Sequence, residues 1–461
     1  MTRRLAALFA ALALLAGCSS GTEPEPGSDN GAGSESTEET VPGGVEETAR
    51  DLMEALAGDG DPGPMVELFS ADVAAQLPEE TLVEVWEQTI EFAGEYEGTI
   101  DTTSRDADGR TAVTVTSGFS RVNVQTDLQF SDDGEIHGVW FTYADNPASL
   151  HPDPPELPEG TTEVEIAVGE HELPGILTLP DSDGPNAVVL LVAGSGPQNM
   201  DGTVGSAGNA VLRDIAYQLA EHGVPTLRYD KRFYVRPELG EGDITIEDEV
   251  IDDAVAAVEL LREREELADY SIVIGGHSLG GMLLPEIVEQ SDADGGVILA
   301  GTARTLWDVI GDQNEAMIES AIDDGSMSEQ EAAFSLMYVR SEVERANEMT
   351  EPEGEAVLGS MSPVYVVSLN TLDLPGLASE LEIPLLVVQG TDDFQILAGA
   401  DYESWQPVLA ENPDVTYRLF EGLNHFFMPE VEDMDVTDYN VPSAVDPEVT
   451  DTIAEWLDER W

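Results

Sequence analysis

Residues 271–287 read SIVIGGHSLGGMLLPEI. An apolar, β-branched run ends in Gly276-His277-Ser278-Leu279-Gly280, and an apolar helical pattern follows at once. Strand, G-x-S-x-G turn and helix together form the context in which this short pattern marks a serine nucleophile. A serine on so sharp a bend leaves no room for side chains on the flanking residues, which explains the glycines. The helix that follows points N–H groups toward negative charge developing at the serine. His277 is adjacent in sequence, but neighbours on such a bend point apart, so the base must come from elsewhere.

On this kind of scaffold the chain order is serine, acid, histidine. Of six histidines only His425 follows Ser278, in RLFEGLNHFFMPE, between an apolar strand and the last helical segment. The acid is expected after an intervening strand, and IPLLVVQGTDDFQI offers Asp392 and Asp393. Asp393 is preferred and Asp392 is the alternate. Either would fix the imidazole tautomer and stabilise its protonated form. The second oxyanion donor is expected from the loop after AVVLLVAG, where a backbone N–H of Ser195 or Gly196 would act beside that of Leu279. Such a triad needs no metal or organic cofactor.

Working outward, residues 161–461 alternate short apolar strands with helical patterns. This predicts an α/β domain with a mostly parallel sheet and helices on both faces. Thr245 and Asp248 read as a cap and its partner at the start of the helix TIEDEVIDDAVAAVELLRERE. Helices from about 304 to 362 interrupt the alternation and are expected to form a lid. Met327, Phe334, Met337 and Tyr338 either line it or form a plain packing stripe, and Tyr365 is a candidate to meet an acyl chain.

The segments LLVAGSGPQNMDG, LAEHGVPTLRYDKR, VIGGHSLGG, PLLVVQGTDDFQI and GLNHFF resemble serine carboxylesterases and acyl-hydrolases of the α/β-hydrolase fold, especially those with an AGSGP oxyanion loop. The resemblance spans nearly all of 161–461. It implies catalysis by Ser278, Asp393 and His425, oxyanion donors at Ser195 and Leu279, and a small-molecule ester or acyl substrate. The chain departs from the pattern at Asn199-Met200-Asp201, where Asp-Arg-Asp is usual. It departs again after YDKR, where FYVRPEL replaces a glycine-rich turn. Thioesterases and amidases or peptidases of this fold share the same triad.

Residues 45–143 read as helices followed by an alternating, turn-punctuated stretch, which is an α+β domain. TLVEVWEQTIEFAGEYEG and DLQFSDDGEIHGVWF resemble the DUF3887 domain, an NTF2-like module. That resemblance implies a cone around a pocket and a possible homodimer interface. The rival functional reading follows from it: a lipoprotein whose front domain binds a ligand or partner. His137, Trp86 and Trp140 form no catalytic group there. Residues 144–160 are a proline-rich linker.

Residues 1–18 carry two arginines, an apolar run and LLAGC, which resembles a lipoprotein processing box. The resemblance implies lipidation at Cys18, the only cysteine, and a protein on the outer face of the membrane, held by its lipid alone. Residues 19–44 are an acidic tether rich in Ser, Gly, Glu and Pro. The whole chain has 94 acidic and 18 basic residues, a net charge of −76, and a single lysine, Lys231. Such a surface needs salt screening, resembles the composition of halophilic proteins, and offers nucleic acid no basic patch.

Overall fold

The computed structural model describes residues 44–461 except 59, 71–72, 75–76, 79–80, 84–85, 87–88, 91–92, 94–95, 108–109, 120–122, 132–133, 144–156, 170, 183, 206, 241, 324–326, 360, 430–438 and 440. The expected signal, Cys18 and nearly all of the tether lie outside those residues, as does most of the linker. Among the described residues no helix is long and apolar enough to cross a membrane.

The front region opens with the helix Val45–Met53, which continues through a wider turn at Glu54–Gly58. Four antiparallel strands follow in spatial order: β1 (Tyr96–Ala107), β2 (Arg110–Phe119), β3 (Val124–Phe130) and β4 (Ile136–Tyr143). In β3 every second residue is buried, so Val124, Thr126, Leu128 and Phe130 face inward. Val124, Leu128 and Phe130 meet Met53, Leu56 and Trp86 in one apolar cluster. Trp86 is therefore core, whereas Trp140 is half exposed. Strand β1 was not expected from the sequence. Its residues are mostly Thr, Ser, Asp and Gly, and it is held by pairing with β2 along its length, from Tyr96 opposite Phe119 to Ala107 opposite Arg110.

The back region is built on one eight-stranded sheet. Its strands in chain order are β5 (Thr161–Val168), β6 (His171–Thr178), β7 (Ala187–Val192), β10 (Thr226–Tyr229), β11 (Ser271–His277), β12 (Gly295–Leu299), β13 (Leu385–Gly390) and β14 (Val415–Phe420). Two-residue strands β8 (Thr203–Val204) and β9 (Asn209–Ala210) form a separate hairpin. The spatial order is β14-β13-β12-β11-β7-β10-β6-β5. From β14 to β10 every neighbouring pair is parallel, whereas β6 pairs antiparallel with both β10 and β5. Every residue of β7, β12 and β13 is buried, as their apolar sequences, broken only by Gln389, require of strands covered on both faces. Two apolar clusters sandwich the sheet. One takes Val188, Leu190 and Ile274, the other Val189, Leu191 and Val273.

Because they run parallel, strands β14, β13, β11 and β7 all end on one edge of the sheet. Ligands of open parallel sheets bind at that carboxyl edge.

The interrupting segment folds as two long helices, Leu306–Asp323 and Glu329–Glu348, then the shorter helix Pro363–Asn370. Ser328 and Glu331 form a capping box at the second. The pair has its own small core of Ile318, Ala332 and Val339, with Met327 packed against it. Phe334, Met337 and Tyr338 are exposed on the outer side and do not line an interior. At its base the segment is tied down by Trp307, whose indole donates to Asn370 Oδ1 at 2.6 Å, and by Arg304, which pairs with Asp312 and Asp401.

Candidate active site

Ser278 follows the last residue of β11, and its backbone sits at φ 54° and ψ −116°, outside the regions favoured for L-residues. The surroundings hold it there. The Ser278 N–H donates to Leu299 O on β12 at 2.9 Å, and Ser278 O accepts from Met282 N at 2.9 Å as the helix Leu279–Met282 begins. The flanking glycines are needed because backbone passes so close. A Cβ on Gly276 would lie 2.3 Å from Gly280 O, and one on Gly280 would lie 2.7 Å from Val192 O. Ser278 itself is partly exposed, while its neighbours His277 and Leu279 are buried. The bend thus presents the one hydroxyl and hides everything around it.

His425 follows β14. Its Nδ1 lies 2.7 Å from Asp393 Oδ2, and both side chains are buried. Asp393, three residues past β13, takes four hydrogen bonds with two oxygens. Oδ2 accepts from His425 and from Gln389 Nε2 at 2.6 Å, and Oδ1 accepts from the backbone N–H groups of Gln395 and Ile396, each at 2.8 Å. The alternate, Asp392, accepts instead from the Thr391 hydroxyl at 2.8 Å. The loop carrying His425 is fixed by Asn424, whose Oδ1 accepts from the N–H groups of Phe426 and Met428. Buried Phe427 sits at φ 56° within this turn.

His277 serves this loop. Its Nε2–H donates to the His425 carbonyl at 2.9 Å, and its ring packs against those of both His425 and Phe426. Burial, then the neighbouring His425 imidazole, lowers its pKa to about 3. A neutral ring donating through Nε2 is consistent with that value. The sign of the linkage is set by this depression. Between the unfolded value of 6.5 and about 3, the unfolded chain binds more protons than the folded one, so stability falls as pH falls through that window. The expected result is that wild type loses stability relative to His277→Gln between pH 7 and pH 5, with a constant difference above pH 7. Urea unfolding at both ends of the range checks it; a constant difference throughout would refute it.

The loop after β7 runs past the serine. A Cβ on Gly194 would lie 3.0 Å from Ser278 Cβ and 3.5 Å from its Oγ. The Gly196 N–H is committed to Glu249 Oε1 at 2.7 Å, which removes Gly196 as an alternate oxyanion donor. Leu279 follows Ser278 directly, and Ser195 follows Gly194. Burial would raise the Glu249 carboxyl pKa. The Lys231 ammonium, the Tyr365 hydroxyl and the Gly196 N–H outweigh burial and hold it below the usual value. The Tyr365 hydroxyl, expected near an acyl chain, is spent on this carboxylate at 2.7 Å.

The departures noted in the sequence are accommodated around this loop. Asp201 pairs with buried Arg228, and Met200 N donates to Asp230 Oδ1 at 2.6 Å. Arg232 binds Asp253 through its backbone N–H and its guanidinium. Gln389, Asn424, Lys231 and Glu249 were not foreseen as parts of the site, and Tyr365 was expected against an acyl chain rather than on a carboxylate. Two of them left a signal: a glutamine inside an otherwise apolar buried strand, and the only lysine of the chain. Among the described residues no group of three or more His, Cys, Asp or Glu side chains could hold a metal ion.

Over residues 202–432 the chain matches the family described as Serine aminopeptidase, S33. It is 34% identical over 339 residues to esterase EstD of Thermotoga maritima, an alignment covering 74% of this chain and 77% of that protein. Among solved structures, Est1E from Butyrivibrio proteoclasticus is similar with a TM-score of 0.41 at 15% identity, over 64% of this chain and 98% of that one. Proline iminopeptidase of Mycobacterium smegmatis has a TM-score of 0.38 at 19% identity, over 65% of this chain and 98% of that one.

Proposed function

This chain belongs to the esterase-type α/β-hydrolase family, and from that premise we propose that it cleaves carboxylic esters through an acyl-enzyme on Ser278. The observation that carries the reading is the buried Asp393–His425 pair, with 2.7 Å between Oδ2 and Nδ1, at the same sheet edge as a serine held at φ 54°. With Nδ1–H bound to Asp393, the His425 Nε2 lone pair takes the Ser278 proton as Oγ attacks the carbonyl carbon. The carbonyl π pair moves to oxygen, and the N–H groups of Leu279 and Ser195 receive that charge. As the tetrahedral adduct collapses, His425 protonates the departing alcohol. Water then attacks the acyl-serine, His425 takes its proton, and Ser278 regains one on release of the acid. Every step is served by the chain's own groups.

Amide or peptide cleavage is the second reading, favoured by the description of the matching family. The front α+β region is assigned the auxiliary role of an NTF2-like module. Residues 1–18 are assigned to export and lipidation at Cys18, and the charge of −76 to life in concentrated salt. The test is hydrolysis of p-nitrophenyl esters of increasing acyl length in high salt, beside acyl thioesters and aminoacyl p-nitroanilides. Short esters are expected to turn over with a burst of p-nitrophenol wherever deacylation is the slower step. Anilide cleavage without ester cleavage would favour the second reading.

A further inference from the structure

Four segments distant in sequence meet beneath the loop that passes Ser278. Lys231 Nζ donates to Gly194 O at 2.7 Å and lies 3.2 Å from Glu249 Oε1. The same Oε1 accepts the Gly196 N–H at 2.7 Å, and Oε2 accepts the Tyr365 hydroxyl at 2.7 Å. Lys231, Glu249 and Tyr365 are all buried. The loop is thus gripped by both of its polarities, a carbonyl by the ammonium and an amide by the carboxylate.

We propose that Lys231, Glu249 and Tyr365 are positioning residues that aim the Ser195 N–H at the oxyanion formed on Ser278; the proposal rests on Ser278 being the nucleophile. Gly194 O and the Ser195 N–H belong to one peptide unit, and no described peptide bond is cis. In a planar trans peptide the C=O and N–H point in opposite directions. Holding Gly194 O toward Lys231 therefore turns the Ser195 N–H to the other side of the loop. Gly194 itself packs against Ser278, since a Cβ placed on it would lie 3.0 Å from Ser278 Cβ. The Gly196 N–H, drawn away by Glu249, cannot compete for the role.

Composition argues the same way. The chain has excluded lysine from every other position, yet keeps one buried beside a carboxylate. A buried ion pair is weak support for stability, since apolar replacements often do as well. An ammonium retained here is better explained by what it orients. Tyr365 adds a link to the segment that follows the lid helices. It stands on the helix Pro363–Asn370, where Ser368 Oγ also accepts from Ile246 N at 2.9 Å, at the start of the segment carrying Glu249.

The experiment compares purified Tyr365→Phe, Glu249→Gln, Lys231→Met and Lys231→Arg with wild type and Ser278→Ala, each checked for fold by near-UV circular dichroism. With p-nitrophenyl acetate, kcat is expected to fall about 10²-fold in Glu249→Gln and Lys231→Met, and about tenfold in Tyr365→Phe, as for a misaimed donor. KM should stay within about twofold. Lys231→Arg, which keeps the charge, should recover part of the loss. Inhibition by an acyl trifluoromethyl ketone, which forms the oxyanion, should weaken in step with kcat/KM, while inhibition by acetate should not change. Folded Tyr365→Phe with wild-type kcat overturns the proposal even if the ion-pair variants fail to fold. So does a kcat loss that leaves ketone affinity intact. Activity surviving in Ser278→Ala overturns the nucleophile reading itself, and is seen in a different variant.

Discussion

Ser278→Ala is expected to lower kcat for a short p-nitrophenyl ester by about 10⁵- to 10⁶-fold, with the fold unchanged. The size follows from nucleophile and base acting as one unit. Without Oγ there is no acyl-enzyme, and the remaining donors can assist only direct attack by water. His425→Ala should cost a similar amount, and the double variant should cost little more than either alone. Loss of fold is not the cause to expect. Ser278 is held at positive φ by its own N–H to Leu299 O and by the helix that starts after it, and none of these bonds uses Oγ. Alanine meets the same backbone strain as serine, so thermal stability should change little. The check is a rate measurement on enzyme whose melting temperature matches wild type. Residual activity above about one per cent of wild type, beyond what the size of this effect allows, would remove Ser278 from its role.

How much of this arrangement could be read from the chain depends on how local its causes are. The strand and bend around Ser278 are written within ten positions of sequence, although the backbone contacts that force the glycines and hold the serine also come from Val192 on β7 and Leu299 on β12. Asp393 and His425 were legible by a different route. Each follows a short apolar strand, and parallel strands must end on one edge of the sheet. Which of two adjacent aspartates turns inward was a preference, since both satisfy that rule. The contacts that decide it, Gln389 and the N–H groups of Gln395 and Ile396, depend on how the loop turns after β13. The Lys231–Glu249–Tyr365 group was out of reach because its members come from three segments with no shared pattern. Strand β1 escaped for want of apolar alternation, and its pairing with β2 supplies what its side chains do not. The lid stripe left lining and packing open because helical periodicity says that a face is apolar, not which side it meets. Met327 packs within the helix pair, and Phe334 and Met337 point away.

Asp393→Asn should lower kcat by about 10⁴-fold while Asp392→Asn stays near wild type, with neither variant losing its fold. The four donors around Asp393 make the argument. Two backbone N–H groups fix Oδ1, and His425 and Gln389 share Oδ2. Asparagine can present only one oxygen. If that oxygen keeps the two backbone bonds, its NH₂ faces Gln389 Nε2 and His425 Nδ1. The imidazole can then meet it only as an acceptor, with its proton moved to Nε2. That tautomer has no lone pair to take the Ser278 proton, so the general base is lost although every atom is nearly in place. If the amide turns over instead, it opposes the N–H groups of Gln395 and Ile396, and the loop after β13 must shift. Asp392 faces no such constraint. Its carboxylate accepts one bond from the Thr391 hydroxyl and is partly exposed, and an amide oxygen can accept that bond equally well. The measurement is kcat for both variants on one ester, with circular dichroism confirming that each is folded. Full activity in Asp393→Asn with loss in Asp392→Asn would transfer the acid's role to Asp392 and leave the 2.7 Å contact with His425 without a catalytic purpose.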